Sequence, residues 1–170
     1  NTRYFADEDE WLTKKIFGYN PTSIQEVKVE YPDSQEYSFQ LKKEGSDFEL
    51  TSTALKLSSS DLSRGNAIRF LLNFEDFQYE KRLKGRKSVL MDSLNNEQAL
   101  AHVSVESVNE NDIHKVTFYP IYRERVNPDA KNRYYIFRLF AMSSKRPDEL
   151  FTVQKSLLNK ILLRPDYFSK

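Results

Sequence analysis

The sequence predicts an α+β fold, in which antiparallel sheet carries two main helices packed on one face. Short runs of alternating apolar and polar residues recur between turn residues, as in antiparallel strands with one face in water. Two segments instead carry apolar residues at helical spacing. The order is β-rich, then helical, then β-rich, then helical, without the regular alternation of parallel βαβ units. Two copies of a β-β-β-α-type unit, or a single continuous sheet, would both fit this order.

The N-terminal segment is predicted to form a helix or turn. Acidic residues at positions 7–10 suit the start of a helix, because they face its positive end. Gly18 and the Asn20-Pro21 pair then end it. Its apolar residues, at helical or turn-like spacing, are Trp11, Leu12, Ile16 and Phe17.

Three strands are predicted next, at 27–31, at 37–42 and from Phe48 onward. Each alternates between apolar and polar residues, which is typical of a half-buried strand. Turn residues at Pro32-Asp33 and at 44–47 separate them.

A helix is predicted from 58–61, where Ser and Asp supply N-cap side chains, to about Phe74. Gly65 is expected to weaken it. Its buried face is expected to consist of Ile68, Leu71 and Leu72. A strand at 77–83 and a basic turn around Gly85 follow. Within the stretch 89–98, residues 92–96 predict a short loop or a single turn.

The second half repeats the strand pattern. Strands are predicted at 103–108 and 116–121, and Tyr135, Phe137, Leu139 and Ala141 are expected to face one way after a polar loop at 127–132. Arg146-Pro147-Asp148 predicts another turn. The last element is predicted to be a helix, because Val153, Leu157 and Ile161 lie at i, i+4 and i+8. Pro165 ends it.

The length and composition indicate one folded domain. A chain of 170 residues is the size of an ordinary domain, with 1–75 and 76–170 as possible sub-units. Only 39% of the residues are hydrophobic, but 12 Phe, 10 Tyr and one Trp supply large apolar side chains for a core. The net charge of +1 gives no bulk field that would attract nucleic acid.

Several segments, taken in their order, resemble a known family. They are Arg3-Tyr4-Phe5, Asp9-Glu10-Trp11, Ile16-Phe17, Tyr19-Asn20-Pro21, Ile24, Val27, Val29-Glu30-Tyr31-Pro32, Phe39, Tyr79-Glu80, Val153-Gln154 and Asp166-Tyr167-Phe168. Together they resemble the Bacteroidetes branch of the family called domain of unknown function 4340. The similarity is strongest over residues 3–50 and continues collinearly, but more thinly, to the C-terminus.

The resemblance implies that the chain is the C-terminal part of a longer cell-envelope protein on the periplasmic side. A membrane or lipoprotein anchor would then precede it, which agrees with a first residue, Asn1, that is not Met. The partner would be another envelope protein, with a transport component as one option, and the membrane would be reached only through the anchor. The family has no established activity, so the resemblance carries over no catalytic residues.

The residues themselves favour a non-catalytic binding or scaffolding domain. The chain has no cysteine, and it lacks a nucleophile elbow, a phosphate-binding loop and a dinucleotide fingerprint. His102 and His114 have no partner at metal-ligand spacing, so strand positions near a turn explain both. We therefore expect no enzyme activity, no metal, no cofactor and no nucleic-acid partner. A hydrolase completed by a region outside this chain is the least favoured alternative.

Two groups of residues are candidates for binding. Five of the seven residues at 81–87 are basic, which fits an anionic lipid headgroup or glycan, or else a solvated hairpin tip. They are Lys81, Arg82, Lys84, Arg86 and Lys87. Tyrosines and arginines around the 127–132 loop form the second group. They fit an edge that contacts a protein or glycan, since these residue types are common in binding interfaces, or else the outer face of two strands joined by the loop, which we favour. They are Tyr122, Arg123, Arg125, Arg133 and Tyr134.

Overall fold

The structure is a computed structural model that describes residues 13–53, 55–83, 87–122 and 134–170, with the backbone alone described at 87–89 and 134–136. Strands account for 46% of it and helices for 21%, so the protein is mostly β. The predicted α+β fold with two main helices on one face of the sheet is therefore wrong. The prediction of antiparallel sheet is confirmed.

The described residues form eleven strands and three α-helices. The strands are β1 (Lys15–Phe17), β2 (Ile24–Glu30), β3 (Phe39–Glu44), β4 (Asp47–Ser52), β5 (Lys56–Leu57), β6 (Phe77–Gln78), β7 (Lys81–Leu83), β8 (Ala101–Ser107), β9 (His114–Tyr122), β10 (Tyr134–Ser143) and β11 (Arg146–Gln154). The helices are α1 (Arg64–Leu72), α2 (Lys87–Asn95) and α3 (Lys155–Leu158). Short 3-10 turns lie at Pro21–Ser23, Gln35–Tyr37 and Pro165–Phe168.

Nine strands form one antiparallel sheet in the order β5-β4-β3-β2-β8-β9-β10-β11-β7. It consists of two meanders, β2–β5 and β8–β11, which both begin at the centre and run outward in opposite directions. Strands β2 and β8 join them, with Val27 opposite Val105 and Val29 opposite Val103. Strand β7 closes the far edge against β11. The small second sheet consists of β1 and β6.

The main core lies on one face of the large sheet. Helix α1, the β1–β6 pair and the C-terminal segment cover this face with aromatic side chains. The Phe70 ring contacts Phe39, Phe74 and Phe168, with ring centroids 5.7, 5.2 and 5.2 Å apart. Because these rings come from both ends of the chain, the aromatic contacts tie α1 and the C-terminus to the first meander.

In the described ranges, the opposite face is covered only over the second meander. Leu94 of α2 packs there in a separate apolar cluster with Tyr119, Ile121, Phe140 and Leu150. Over β2, β3, β4 and β8 this face carries polar side chains, as the alternation in the sequence predicts. The covering helix α2 occupies part of the stretch that was predicted to be a loop or a single turn.

Helix α1 confirms a predicted helix but buries a different face. Its N-cap is Ser63, whose Oγ accepts a hydrogen bond from the amide of Asn66, so the helix begins later than the serines at 58–60 suggested. It buries Ala67, Phe70 and Leu71, whereas Ile68 and Leu72 are 41% and 49% exposed. The large Phe70 ring decides the orientation, because it fills the space between β3 and the C-terminal segment.

The predicted C-terminal helix, from about Phe151 or Val153 to Leu163, is helical only at Lys155–Leu158, and its first residues lie in β11. Val153 belongs to β11 and lies opposite Leu139 of β10, and helix α3 starts only at Lys155. Strand β11 lies between β10 and β7, so pairing on both sides holds this segment extended. Val153 and Ile161 are both buried, as predicted, but they lie in different elements. They are therefore not parts of one helical stripe.

Four further expectations are corrected. Ile16 and Phe17 lie in β1, so the N-terminal helix does not include them; residues 1–12 are outside the described ranges. The strand predicted at 77–83 is split between β6 and β7, which belong to different sheets.

The turn expected at 146–148 lies at 144–145 instead, and 146–148 begin β11. Phe137 is 68% exposed and does not share the burial of Leu139 and Ala141, because the β9–β10 register shifts between Tyr134 and Leu139.

No helix in the described ranges is long and apolar enough to cross a membrane. The prediction of one domain, with 1–75 and 76–170 as possible sub-units, stays a prediction. The large sheet contains strands from both possible sub-units, because β2 of the first pairs with β8 of the second.

Alanine substitutions at two glycines test the backbone conformations assigned to them. Gly45 has a φ of 63° at the first position of the β3–β4 turn, the geometry of a type II′ hairpin turn, and Gly65 is in the first turn of α1. A Cβ atom would meet nothing within 4 Å at either position. We expect Gly65→Ala to raise the free energy of unfolding by about 0.5 kcal/mol and Gly45→Ala to lower it by about 1 kcal/mol. Urea denaturation of both variants measures this; equal effects would contradict the assigned turn.

Candidate functional site

The basic residues predicted at 81–87 do not form a hairpin tip. Lys81 and Arg82 lie in the edge strand β7, and Lys87 begins helix α2, so the segment connects a strand to a helix. Lys84 and Arg86 lie outside the described residues, as does the side chain of Lys87. Within this group the structure therefore describes the side chains of Lys81 and Arg82.

Arg82 is held in an ion-paired cluster at the edge of the sheet. Its Nη1 lies 3.2 Å from Oε1 of Glu149 on β11, and both side chains are largely buried. Arg146 also pairs with Glu149, and its guanidinium lies over the Phe151 ring, 4.6 Å from the centroid. Because Arg82 is largely buried and paired with Glu149, it is less able to bind a free anion than an exposed cation would be. Lys81 is exposed.

The tyrosine and arginine group is described only at its start. Tyr122 ends β9 and is partly buried, and its backbone lies opposite Tyr134 in β10. The structure thus brings these two positions together across the sheet. Arg123, Arg125 and Arg133 lie outside the described residues, and the side chain of Tyr134 does as well.

A buried polar network around His114 was not predicted. His114 starts β9 on the core face of the sheet and is 3% exposed. Its Nδ1 lies 3.0 Å from Tyr19 Oη, and its Nε2 lies 2.7 Å from Ser143 Oγ. Tyr19 also donates a hydrogen bond to Glu110, 3.0 Å away, and Glu110 pairs with Lys145.

The hydrogen bonds of the network assign the histidine tautomer. A phenol has a single proton, and Tyr19 donates it to Glu110, so Tyr19 Oη accepts from Nδ1–H of His114. The unprotonated Nε2 then accepts from the hydroxyl of Ser143. Ser143 Oγ in turn accepts from the backbone amide of Lys145, at 3.3 Å. While His114 is neutral, each polar atom of this hydrogen-bonded network therefore has a partner.

Burial lowers the pKa of His114 to about 4, and the positive charge of Lys145 acts in the same direction. The hydrogen bond from Lys145 lowers the pKa of Glu110, and burial raises the pKa of Tyr19. His114 is therefore neutral at pH 7, and Glu110 and Lys145 form a charged pair beside it.

The Ser143–His114 pair has the contact of a serine nucleophile and its base but not the access. Ser143 is 5% exposed, and the Phe17 ring packs on the imidazole, 5.0 Å from its centroid. The pair links β9 to β10, and Tyr19 connects it to the segment before β2. This arrangement indicates a structural role for the network.

Sequence reasoning could not have found this network, because its members are far apart along the chain. Tyr19 and His114 are 95 residues apart, and His114 and Ser143 are 29 apart. His102 has a simpler setting in β8, where its Nδ1 lies 2.9 Å from Thr117 Oγ1. Both histidines lie in strands, and no group of acidic or histidine residues in the described ranges could hold a metal ion. The acidic residues at 7–10 are outside those ranges.

No protein-family model matches the chain, and no curated protein or solved structure is significantly similar to it. The resemblance to domain of unknown function 4340 therefore stays a prediction.

We expect His114 to make stability depend on pH. Its pKa is about 4 in the folded chain and 6.5 when unperturbed, so the unfolded chain takes up the proton first as the pH falls. The contribution of His114 to the free energy of unfolding is complete above pH 6.5 and is lost as the pH falls towards 4. The loss amounts to about 2 kcal/mol between pH 7 and pH 4.5. Urea denaturation across this range measures it.

The variant His114→Gln is the test, and His102→Gln is its control. His114→Gln is expected to be less stable at pH 7 but to lose this part of the pH dependence. His102→Gln is expected to keep most of it, since His102 is only partly buried. An unchanged pH profile in His114→Gln would show that His114 is not the group responsible.

Proposed function

We propose that this chain is a non-catalytic binding or scaffolding domain of a bacterial cell-envelope protein, and that its partner is another protein of the envelope. The envelope location rests on the resemblance to domain of unknown function 4340. The absence of a thiol and of recognisable catalytic motifs in the sequence supports the non-catalytic part of the proposal.

The observation that carries the proposal is the contrast between buried and exposed groups. The pair that most resembles a catalytic one, Ser143 and His114, is buried and internally satisfied. The exposed features are of the kind used in contacts: large apolar side chains such as Val108, Ile113 and Phe137, and short strands at both edges of the sheet. Protein binding uses such surfaces, whereas catalysis needs accessible reactive groups.

The alternative, a module that binds anionic lipid headgroups or glycans through residues 81–87, has weaker support. Of the two side chains described in that group, Arg82 is committed to Glu149 and only Lys81 is exposed. Lys81 alone would hold an anion weakly, and the side chains of Lys84, Arg86 and Lys87 lie outside the described part of the group.

Cross-linking in the bacterium that encodes the chain tests the proposal. We expect the protein that contains residues 1–170 to be found in the envelope fraction and to form a discrete adduct with one other protein after formaldehyde treatment. The control is the same protein with residues 1–170 deleted, which should lose the adduct. A chain recovered from the cytosolic fraction, or an adduct that survives the deletion, would contradict the proposal.

A further inference from the structure

One edge of the large sheet is only partly covered. Strand β5 is two residues long and pairs with β4 only at Leu50 and Thr51. It ends at Leu57, so no strand in the described part of the chain lies beside Phe48. Among the residues that the structure describes, the first half of β4 is therefore an open strand edge.

The hairpin geometry sets which backbone groups face this edge. Glu44 and Asp47 flank the two-residue turn and form its hydrogen-bonded pair, so the next pair, Lys43 and Phe48, is not hydrogen-bonded within the hairpin. The N–H and C=O of Phe48 consequently point outward. Those of Leu50 point outward by the same alternation, and β5 pairs there. Phe48 thus offers a donor and an acceptor to an added strand.

An apolar groove of about 320 Å³ lies beside this edge, between the β3–β4 hairpin and α1. Phe48 and Leu71 form its buried floor, and Ile68, 41% exposed, forms a wall. A residue placed opposite Phe48 in an added strand would project on the same face as Phe48. Its side chain would therefore enter the groove.

The charges around the groove are positive. Lys43 and Arg64 line it, and no Asp or Glu is among its described lining residues. Lys43 Nζ donates to the backbone oxygen of Thr22 at 3.0 Å, whereas Arg64 has no ion-pair partner among the described residues. An acidic ligand would therefore find a cation that is not already neutralised.

We propose that the open edge at Phe48 and this groove bind one extended, acidic segment of a partner protein by strand addition. An apolar residue of that segment lies opposite Phe48 and fills the groove, and an acidic residue two positions away, on the Ser46 side where β5 does not pair, faces Arg64 and Lys43. This inference rests on the proposed protein-binding function and names the surface and the chemistry of its partner.

Synthetic peptides test the inference directly. The probe is an acetylated and amidated tripeptide, Phe-Thr-Glu, which in antiparallel pairing places Phe opposite Phe48 and Glu on the same face opposite Ser46, and does not reach Leu50, where β5 pairs. Its controls replace Glu by Lys, replace Phe by Ala, or methylate the backbone nitrogen of Phe. Calorimetric titration of the chain is expected to give a dissociation constant of about 1 mM or tighter for the probe, and at least about tenfold weaker binding for each control.

Two pairs of protein variants locate the site. Ile68→Glu is expected to weaken binding by about tenfold, while Leu72→Glu, a similarly exposed position one turn along α1 and outside the groove, should change it by less than about twofold. Arg64→Glu is expected to weaken binding by about fivefold, with Arg69→Glu on the same helix as its control.

Absence of probe binding, equal binding of the acidic and basic peptides, or equal effects of Ile68→Glu and Leu72→Glu would each overturn the inference. Such a result leaves the proposed function standing if the domain-dependent adduct forms in cells. If the intact protein formed no adduct in cells while the chain bound the probe tightly, the proposed function would be contradicted and the peptide site would remain.

Discussion

The pairing of β2 with β8 is the interaction on which the rest of the structure depends. Each of these strands starts a meander, and without the other it would present a seven-residue edge of alternating valines to solvent. Their pairing turns two four-stranded meanders into one sheet with a continuous apolar face. That face is too wide for one short helix, so α1, the β1–β6 pair and the C-terminal segment cover it together. The rings of Phe39, Phe70 and Phe168 then join elements from both ends of the chain.

The His114 network adds a polar connection between the same two halves. Tyr19 precedes β2, whereas His114 and Ser143 belong to β9 and β10, so their hydrogen bonds fasten the first segment of the described chain to the second meander. A buried polar chain of this kind stabilises only while every member is satisfied, which requires a neutral imidazole. The low pKa of His114 and the packing of Phe17 on its ring follow from the same burial. The surface features that suit binding lie elsewhere, where the sheet edge at Phe48 is left open.

Alternating residues predicted β2, β3, β4, β8 and β9 well, because each of these strands has one face in the core and the other face polar. The errors arose where tertiary contacts overrode local pattern. The C-terminal stripe has helical spacing, but pairing with β10 and β7 holds Leu150 to Val153 extended. Ile68 and Leu72 were expected in the core, but the larger Phe70 determines which face of α1 is buried. The candidate site was even harder to predict from the sequence. Tyr19, His114 and Ser143 meet only after β9 and β10 are placed, and the opening beside Phe48 depends on where β5 ends.

Native-state hydrogen exchange tests most directly whether the β2–β8 pairing makes the two meanders one cooperative unit. The decisive amides are those of β2 and β8 together with those of β4 and β10, which lie further out in each meander. We expect the most protected amides of β2, β8 and β10 to exchange with the same free energy of opening, equal to that of global unfolding. If residues 76–170 kept their protection under conditions in which β2 and β4 had already exchanged, the halves would be independent. That result would contradict a fold organised around the central pair.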